Sequence, residues 1–396
     1  MRTIPVALAA LCLRAQAPLP QDLDALTKIR TRMIFNLQHQ PNYTCVETIE
    51  RSARAKLANK LKIVDTLRLE VALVNGRELF AWPGAKKFED ADLTQMVTTG
   101  AIGNGNFGTH AQALFTTRSA TFQYLGEEEF QGKKAIRFDY NVPQMLSGYR
   151  IRVSTASAIV GYHGSFYADP QTYDMERIEV RADDLPPALL LASADDKIDY
   201  AVARIGESDF LLPSQSELSM IGINGGEERN RVKFTSCRQY SGESVVTFGD
   251  APASEPGAAP VSTREFDLPE GLALELVTDR EIDLQIAAIG DPVYAHIDRD
   301  VKQKGLIVIP KGATATGRIT RLEKYDNYSI LGIEFNEIEA PGILARMKGS
   351  LTGTVGPVGP RRMVPARKPP MPGEGIIPVN ATQRHLAKGS IMFWRT

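Results

Sequence analysis

The sequence predicts a mainly β, α+β protein: a curved antiparallel half-barrel sheet with an N-terminal helix, followed by a small β-barrel domain. Three observations carry this. Apolar side chains recur at helical spacing near the N-terminus and then alternate with period two along most of the chain. A stretch rich in Pro, Ala, Gly and Ser, GDAPASEPGAAPVSTR at 249–264, separates two β-rich regions. At 396 residues and 43% hydrophobic composition, the chain is long enough for two ordinary cores.

The elements follow in order. Arg2, an apolar run from Ile4 to Leu13 and Ala15-Gln16-Ala17 have the layout of a secretory signal peptide over 1–17. The run is far short of the roughly 20 residues that span a bilayer, so cleavage and no transmembrane segment afterwards are expected. Leu23, Leu26, Ile29, Met33, Ile34 and Leu37 mark one face of a helix that Pro41 ends. From Tyr43 the period becomes two. Leu67, Leu69, Val71 and Leu73 lead into Asn75-Gly76, a two-residue hairpin turn, and Glu78 to Trp82 returns. Further strands are predicted up to Tyr240, giving a first domain over 18–248, with a short helix at Thr109 to Phe115. After the linker, alternating segments from Leu272 to Glu334 and at Ser390 to Arg395 form a second domain over 265–396. A Pro/Arg-rich exposed loop interrupts it at 355–374.

Composition excludes more than it assigns. Lys and Arg number 46 against 47 Asp and Glu, so no bulk field favours nucleic acid. His39, His110, His163, His296 and His385 are scattered without metal-ligand spacing, so no metal site is expected. Gly103 to Gly108 fits G-x-G-x-x-G but lacks the βαβ context, and no G-x-S-x-G elbow is present; no cofactor and no catalytic residue are expected. Glu127–Glu129, Asp183–Asp184 and Asp195–Asp196 read as solvated turns, and Arg51, Arg54, Lys56, Lys60 and Lys62 as a solvated edge. Without the leader, Cys45 and Cys237 remain. An even count in an oxidising compartment favours a bridge, with two buried free thiols as the alternative.

Several motifs carry resemblances. The leader, one amphipathic helix, a strand with Tyr43-Thr44-Cys45, the hairpin Gly164-Ser165-Phe166-Tyr167-Ala168-Asp169 and the phrase Phe210-Leu211-Leu212-Pro213 resemble, in order, the LolA-like family of periplasmic lipoprotein carriers. That resemblance implies a half-open sheet around an apolar groove, for which Leu69, Val71, Leu79, Trp82, Phe138, Tyr140, Phe166 and Tyr167 are the candidate lining; alternatively these side chains fill a closed core. Leu268-Pro269-Glu270-Gly271, Gly290-Asp291-Pro292-Val293, Ile309-Pro310-Lys311-Gly312-Ala313 and Gly317-Arg318 resemble the C-terminal β-barrel domain of TrbI-type conjugation and type IV secretion channel proteins. The anchor, stalk and two-helix insertion of those subunits are not visible, so the resemblance implies the barrel and not a pore.

The expectation is therefore an exported, non-enzymatic envelope protein, periplasmic or outer-membrane-associated, with a lipid, a lipoprotein acyl chain or an envelope protein as partner. The competing expectation is a ligand-free interaction module of an envelope or secretion-type assembly.

Overall fold

The computed structural model describes residues 21–85, 87–88, 96, 108–153, 156–240, 263–325, 327–355, 369–380 and 382–396. The leader and nearly all of the glycine motif at 103–108 and of the linker lie outside them. Helix α1 (Gln21–His39) is followed by β1 (Tyr43–Arg54), β2 (Lys62–Val74), β3 (Arg77–Ala81) and helix α2 (Thr109–Thr116). Then come β4 (Thr121–Phe130), β5 (Lys133–Val142), β6 (Arg150–Val153), β7 (Ala156–Ile159), β8 (Tyr162–Ala168), β9 (Met175–Ala182), β10 (Leu191–Ile205), β11 (Ser208–Gly222) and β12 (Glu227–Gln239).

Among the described residues ten of these strands form one antiparallel sheet in the order β3-β2-β1-β12-β11-β10-β9-β8-β5-β4. The β2–β3 hairpin turns on Asn75 and Gly76, both at positive φ, as the Asn-Gly pair predicts. Cys45 of β1 and Cys237 of β12 are joined by a disulfide, at a bulge where Ser236 and Cys237 together face Cys45. The concave face is covered by α1 through Ala25, Ile29 and Met33 and by α2 through Ala111, Leu114 and Phe115. A separate β6–β7 hairpin covers its end through Ile151 against Leu218 and Met220. Asn36 anchors α1 to the predicted Phe210-Leu211-Leu212-Pro213 phrase: its amide nitrogen donates to the Leu211 carbonyl at 2.7 Å, and its oxygen accepts from the Leu211 N–H at 3.0 Å.

The second region contains β13 (Arg264–Asp267), β14 (Ala273–Thr278), β15 (Ile282–Asp283), β16 (Pro292–Ile297), β17 (Val301–Gln303), β18 (Leu306–Ile309) and β19 (Thr314–Lys324). It continues with β20 (Tyr328–Ala340), β21 (Ile343–Arg346), β22 (Ser350–Val355), β23 (Gly375–Asn380), β24 (His385–Leu386) and β25 (Ile391–Arg395). Among the described residues nine of them form one sheet, β13-β21-β20-β19-β16-β14-β25-β22 with β23 also on β20. It curls until Gly375 of β23 lies against Leu351 of β22 and the Trp394 ring, around a core that includes Trp394 and Phe335. The turn at Pro310–Ala313 has Gly312 at φ +82°, as its sequence predicts.

Three expectations need correction. Glu127–Glu129 lie within the edge strand β4, exposed, and not in a turn. The linker's last residue, Arg264, already belongs to β13, which pairs parallel with β21. The end of the expected exposed loop, 369–374, is docked. Glu374 is buried and accepts from Arg321 Nε at 3.1 Å and Nη2 at 2.8 Å, while Arg321 also donates to the Pro369 carbonyl at 2.9 Å and to Glu323 at 3.1 Å. A buried guanidinium needs such acceptors in number, and the loop's end supplies them.

The two regions touch. Strand β3 is short and pairs with only the last five residues of the thirteen-residue β2. The open part of that edge is filled from the second region: the Ile289 N–H donates to the Thr66 carbonyl and the Arg68 N–H to the Ile289 carbonyl, both at 2.8 Å. Arg68 Nη1 also donates to both oxygens of Asp291 at 2.7 Å. Gly290, at φ +100°, passes so close that a Cβ there would lie 2.3 Å from the Arg68 carbonyl oxygen and 2.6 Å from the Trp82 ring.

Candidate functional site

Strand alternation decides which candidates can share a site. In β5 and β8 the inward positions are Phe138, Tyr140 and Val142 and Tyr162, Gly164 and Phe166. Phe138 and Phe166 stack with centroids 5.2 Å apart, and Phe115 of α2 meets Phe166 edge-on at 5.4 Å. Phe122 of β4, partly buried, completes this aromatic wall 6.0 Å from Phe166. Leu69 and Val71 lie inward as well, but in a separate cluster around the disulfide with Tyr43, Ile49 and Phe234. Five of the eight candidate groove residues are thus inward and buried.

The other three go elsewhere. Tyr167 follows Phe166 directly and so faces outward, where it stacks on Phe130 at 4.2 Å, with Arg137 over its ring and Arg177 over that of Phe130. Leu79 is out of phase with the inward Phe80. Trp82 sits at the contact between the two regions, with the Arg318 guanidinium 4.6 Å from its ring centre and Gly290 against its edge.

Beside the aromatic wall lies a polar cluster that the sequence reading missed. Asp196 belongs to the inward phase of β10 between Ala194 and Ile198, whereas its neighbours Asp195 and Lys197 belong to the outward phase. It is 2% exposed, and its nearest charged-type neighbour is His110 of α2, Oδ2 to Nε2 3.9 Å. Neither His110 Nε2 nor Asp196 Oδ1 has a hydrogen-bond partner among the described residues. Burial pushes the Asp196 carboxyl up to about 8 and the His110 imidazole down to about 4, so both are neutral near pH 7.

Tyrosines surround the pair. Tyr149 and Tyr162 meet the His110 ring edge-on at 5.0 and 6.4 Å, and Tyr140 meets Tyr162 at 6.1 Å. The Tyr140 hydroxyl crosses Gly164 and donates to the Glu179 carbonyl at 2.7 Å; a Cβ on Gly164 would lie 1.8 Å from that carbonyl oxygen. Burial raises the pKa of Tyr140, Tyr149 and Tyr200, and that of Tyr162 to about 12. A second inward acid, Glu47 of β1, is 4% exposed and pushed up to about 8 by burial. Arg51, expected on a solvated edge, is instead buried and bidentate on Asp65.

Comparison with known proteins assigns no family. No family model and no curated protein matches the chain. Among solved structures, a putative outer membrane lipoprotein-sorting protein domain from Vibrio parahaemolyticus is 12% identical, with 56% of this chain and 95% of that one covered and a TM-score of 0.33. A DUF1329 family protein from Desulfovibrio piger is 10% identical, with 57% and 96% covered and a TM-score of 0.31. Lipoprotein LppX from Mycobacterium tuberculosis is 9% identical, with 55% and 97% covered and a TM-score of 0.18. Likenesses at these scores assign neither family nor ligand.

Proposed function

We propose that this chain is a non-enzymatic binding protein of the cell envelope, periplasmic or outer-membrane-associated after export, whose first domain engages a lipid or a lipoprotein acyl chain. The observation that supports this best is the open sheet. Among the described residues its end strands β3 and β4 are not paired with each other, and its concave apolar face is covered by two helices and a hairpin. Lifting α1 from such a face breaks dispersion contacts, the Asn36 anchor and the ties of Arg30 to the end of α2 and of Arg32 to Asp174, but no strand ladder, so an acyl chain could replace the helix without dismantling the sheet. The small barrel, with its TrbI-type resemblance, is the part we assign to docking an envelope protein.

The test is native mass spectrometry of the protein recovered from an envelope extract. A reproducible lipid adduct, lost when the partly buried Phe122 is replaced by Glu, is the expected result. A clean mass, or recovery in the cytoplasm alone, overturns the reading. One observation favours the ligand-free module instead: Phe166 and Phe138 are 0% and 2% exposed, already packed against each other and α2. That reading requires a clean mass together with a defined oligomer on crosslinking.

A further inference from the structure

Resting on the apolar-ligand reading, we infer that the buried Asp196 and His110 side chains receive a primary ammonium group, and that the ligand is an amine-headed amphiphile whose chain lies along the aromatic wall. Two acceptor-capable atoms, Asp196 Oδ1 and neutral His110 Nε2, are buried without a hydrogen-bond partner. Leaving such groups unpaired costs about 1–3 kcal/mol each, and at 3.9 Å the carboxyl's own proton is out of hydrogen-bond reach of His110 Nε2, so a donor placed between them would satisfy both. A primary ammonium carries three N–H donors and no acceptor, which matches this deficit; a hydroxyl head brings a single donor, and a carboxylate head brings none.

Charge and ring chemistry agree with the donor count. Among the described residues no Lys or Arg is within ion-pair reach of Asp196, so its carboxylate form is without a structural counter-ion. An arriving cation supplies one, and draws the carboxyl back to its ionised state. Tyr149 and Tyr162 flank His110 with ring centroids at 5.0 and 6.4 Å, aromatic surroundings that suit a cation better than aliphatic ones do. A metal ion is the weaker occupant, because among the described residues no third His, Cys, Asp or Glu completes a ligand set.

The direction of the chain follows from the strands. On β5 the inward order is Phe138 then Tyr140, and on β8 it is Tyr162, Gly164, then Phe166, so both strands run between a polar end and an aromatic end. A head group at Asp196 therefore points its tail towards Phe138, Phe166 and Phe122, the wall assigned above to the apolar ligand.

The experiment is calorimetric titration of the full chain at pH 7 with decylamine, 1-decanol and decanoate, each below its aggregation limit. The three probes share a tail and differ in the head. Decylammonium is expected to bind at least tenfold more tightly than the other two, and Asp196→Asn to reduce it to the level of decanol while decanol binding stays as it was. Equal binding of all three probes, or an ammonium preference that survives Asp196→Asn, overturns the inference and leaves the apolar-ligand reading standing. Absence of binding by every probe removes both. The comparison of head groups on the unmodified chain stands even if the variant fails to fold.

Discussion

At Asp196, Glu47 and His110, three neutral-by-burial groups share a concave apolar face, and their effect on stability has a definite sign. The two carboxyls have folded pKa values near 8, above their ordinary values of 3.8 and 4.5, so the folded state holds more protons than the unfolded state across that interval. Their contribution to stability is therefore full below about pH 4 and is lost as pH rises through 8, at up to about 1.4 kcal/mol per pH unit for each group. His110 works oppositely between about 4 and 6.5, where the unfolded state is the one that binds the extra proton. From 6.5 to 8 the carboxyls act unopposed. The urea midpoint should fall from pH 6.5 to 8, and the Glu47→Gln, Asp196→Asn double variant should flatten that fall; a midpoint that rises over this interval would show that these groups are ionised in the folded protein. The sequence contained the signal for both acids. Glu47 stands in phase with Tyr43 and Cys45, and Asp196 with Ala194 and Ile198, so alternation alone put them inside. Reading Asp195–Asp196 as a surface pair ignored that phase, as did placing both Phe166 and Tyr167 in one groove.

Among the elements, those defined by local chemistry were the legible ones. The Asn75-Gly76 turn, the amphipathic α1, the short α2 and most long strands follow from periodicity and turn residues within a few positions. Strands β13, β22 and β23 were not read, because each is short and becomes a strand by pairing with a distant partner, whereas β21 turns back on β20 at Pro341-Gly342, a local hairpin signal that the reading missed. The docked segment 369–374 has the same origin: Pro, Met and Gly give a loop reading, and Arg321, far away in sequence, decides that its end is buried. Glu374→Ala should therefore cost about 3–5 kcal/mol, since it strips two hydrogen bonds from a buried guanidinium and leaves that charge undercompensated. Chemical denaturation of the variant measures it, and a change below 1 kcal/mol would mean that Glu323 and the Pro369 carbonyl suffice. At the sheet's other edge the exposed Glu127–Glu129 give β4 a row of like charges, which discourages a second chain from adding to it.

For the whole molecule, the contact between the two regions centres on Ile289, whose backbone pairs with β2, and on the adjoining Gly290-Asp291 pair, with Arg318 over Trp82 beside them. Arg68 and Asp291 are partly buried, with Arg68 Nη1 donating to both carboxylate oxygens, so a double-mutant cycle with Arg68→Ala and Asp291→Ala should return a coupling of about 1–3 kcal/mol. A coupling near zero would mean that backbone pairing alone carries the contact. The disulfide acts within the first region by tying β1 to β12, 192 residues apart in sequence, and in the chain-entropy model it restrains the unfolded chain by roughly 5 kcal/mol at most.

The borrowed backbone pairing at Thr66 and Arg68 also bears on how the chain matures. A protein synthesised from its N-terminus presents β2 long before Ile289 exists, so during that interval the flank of β2 beyond β3 is an unsatisfied template on which another nascent copy can nucleate. Completion of the first sheet is thus deferred to the arrival of the second region, and a chain truncated before Ile289 would be expected to self-associate through that flank, however intact its own core and disulfide are.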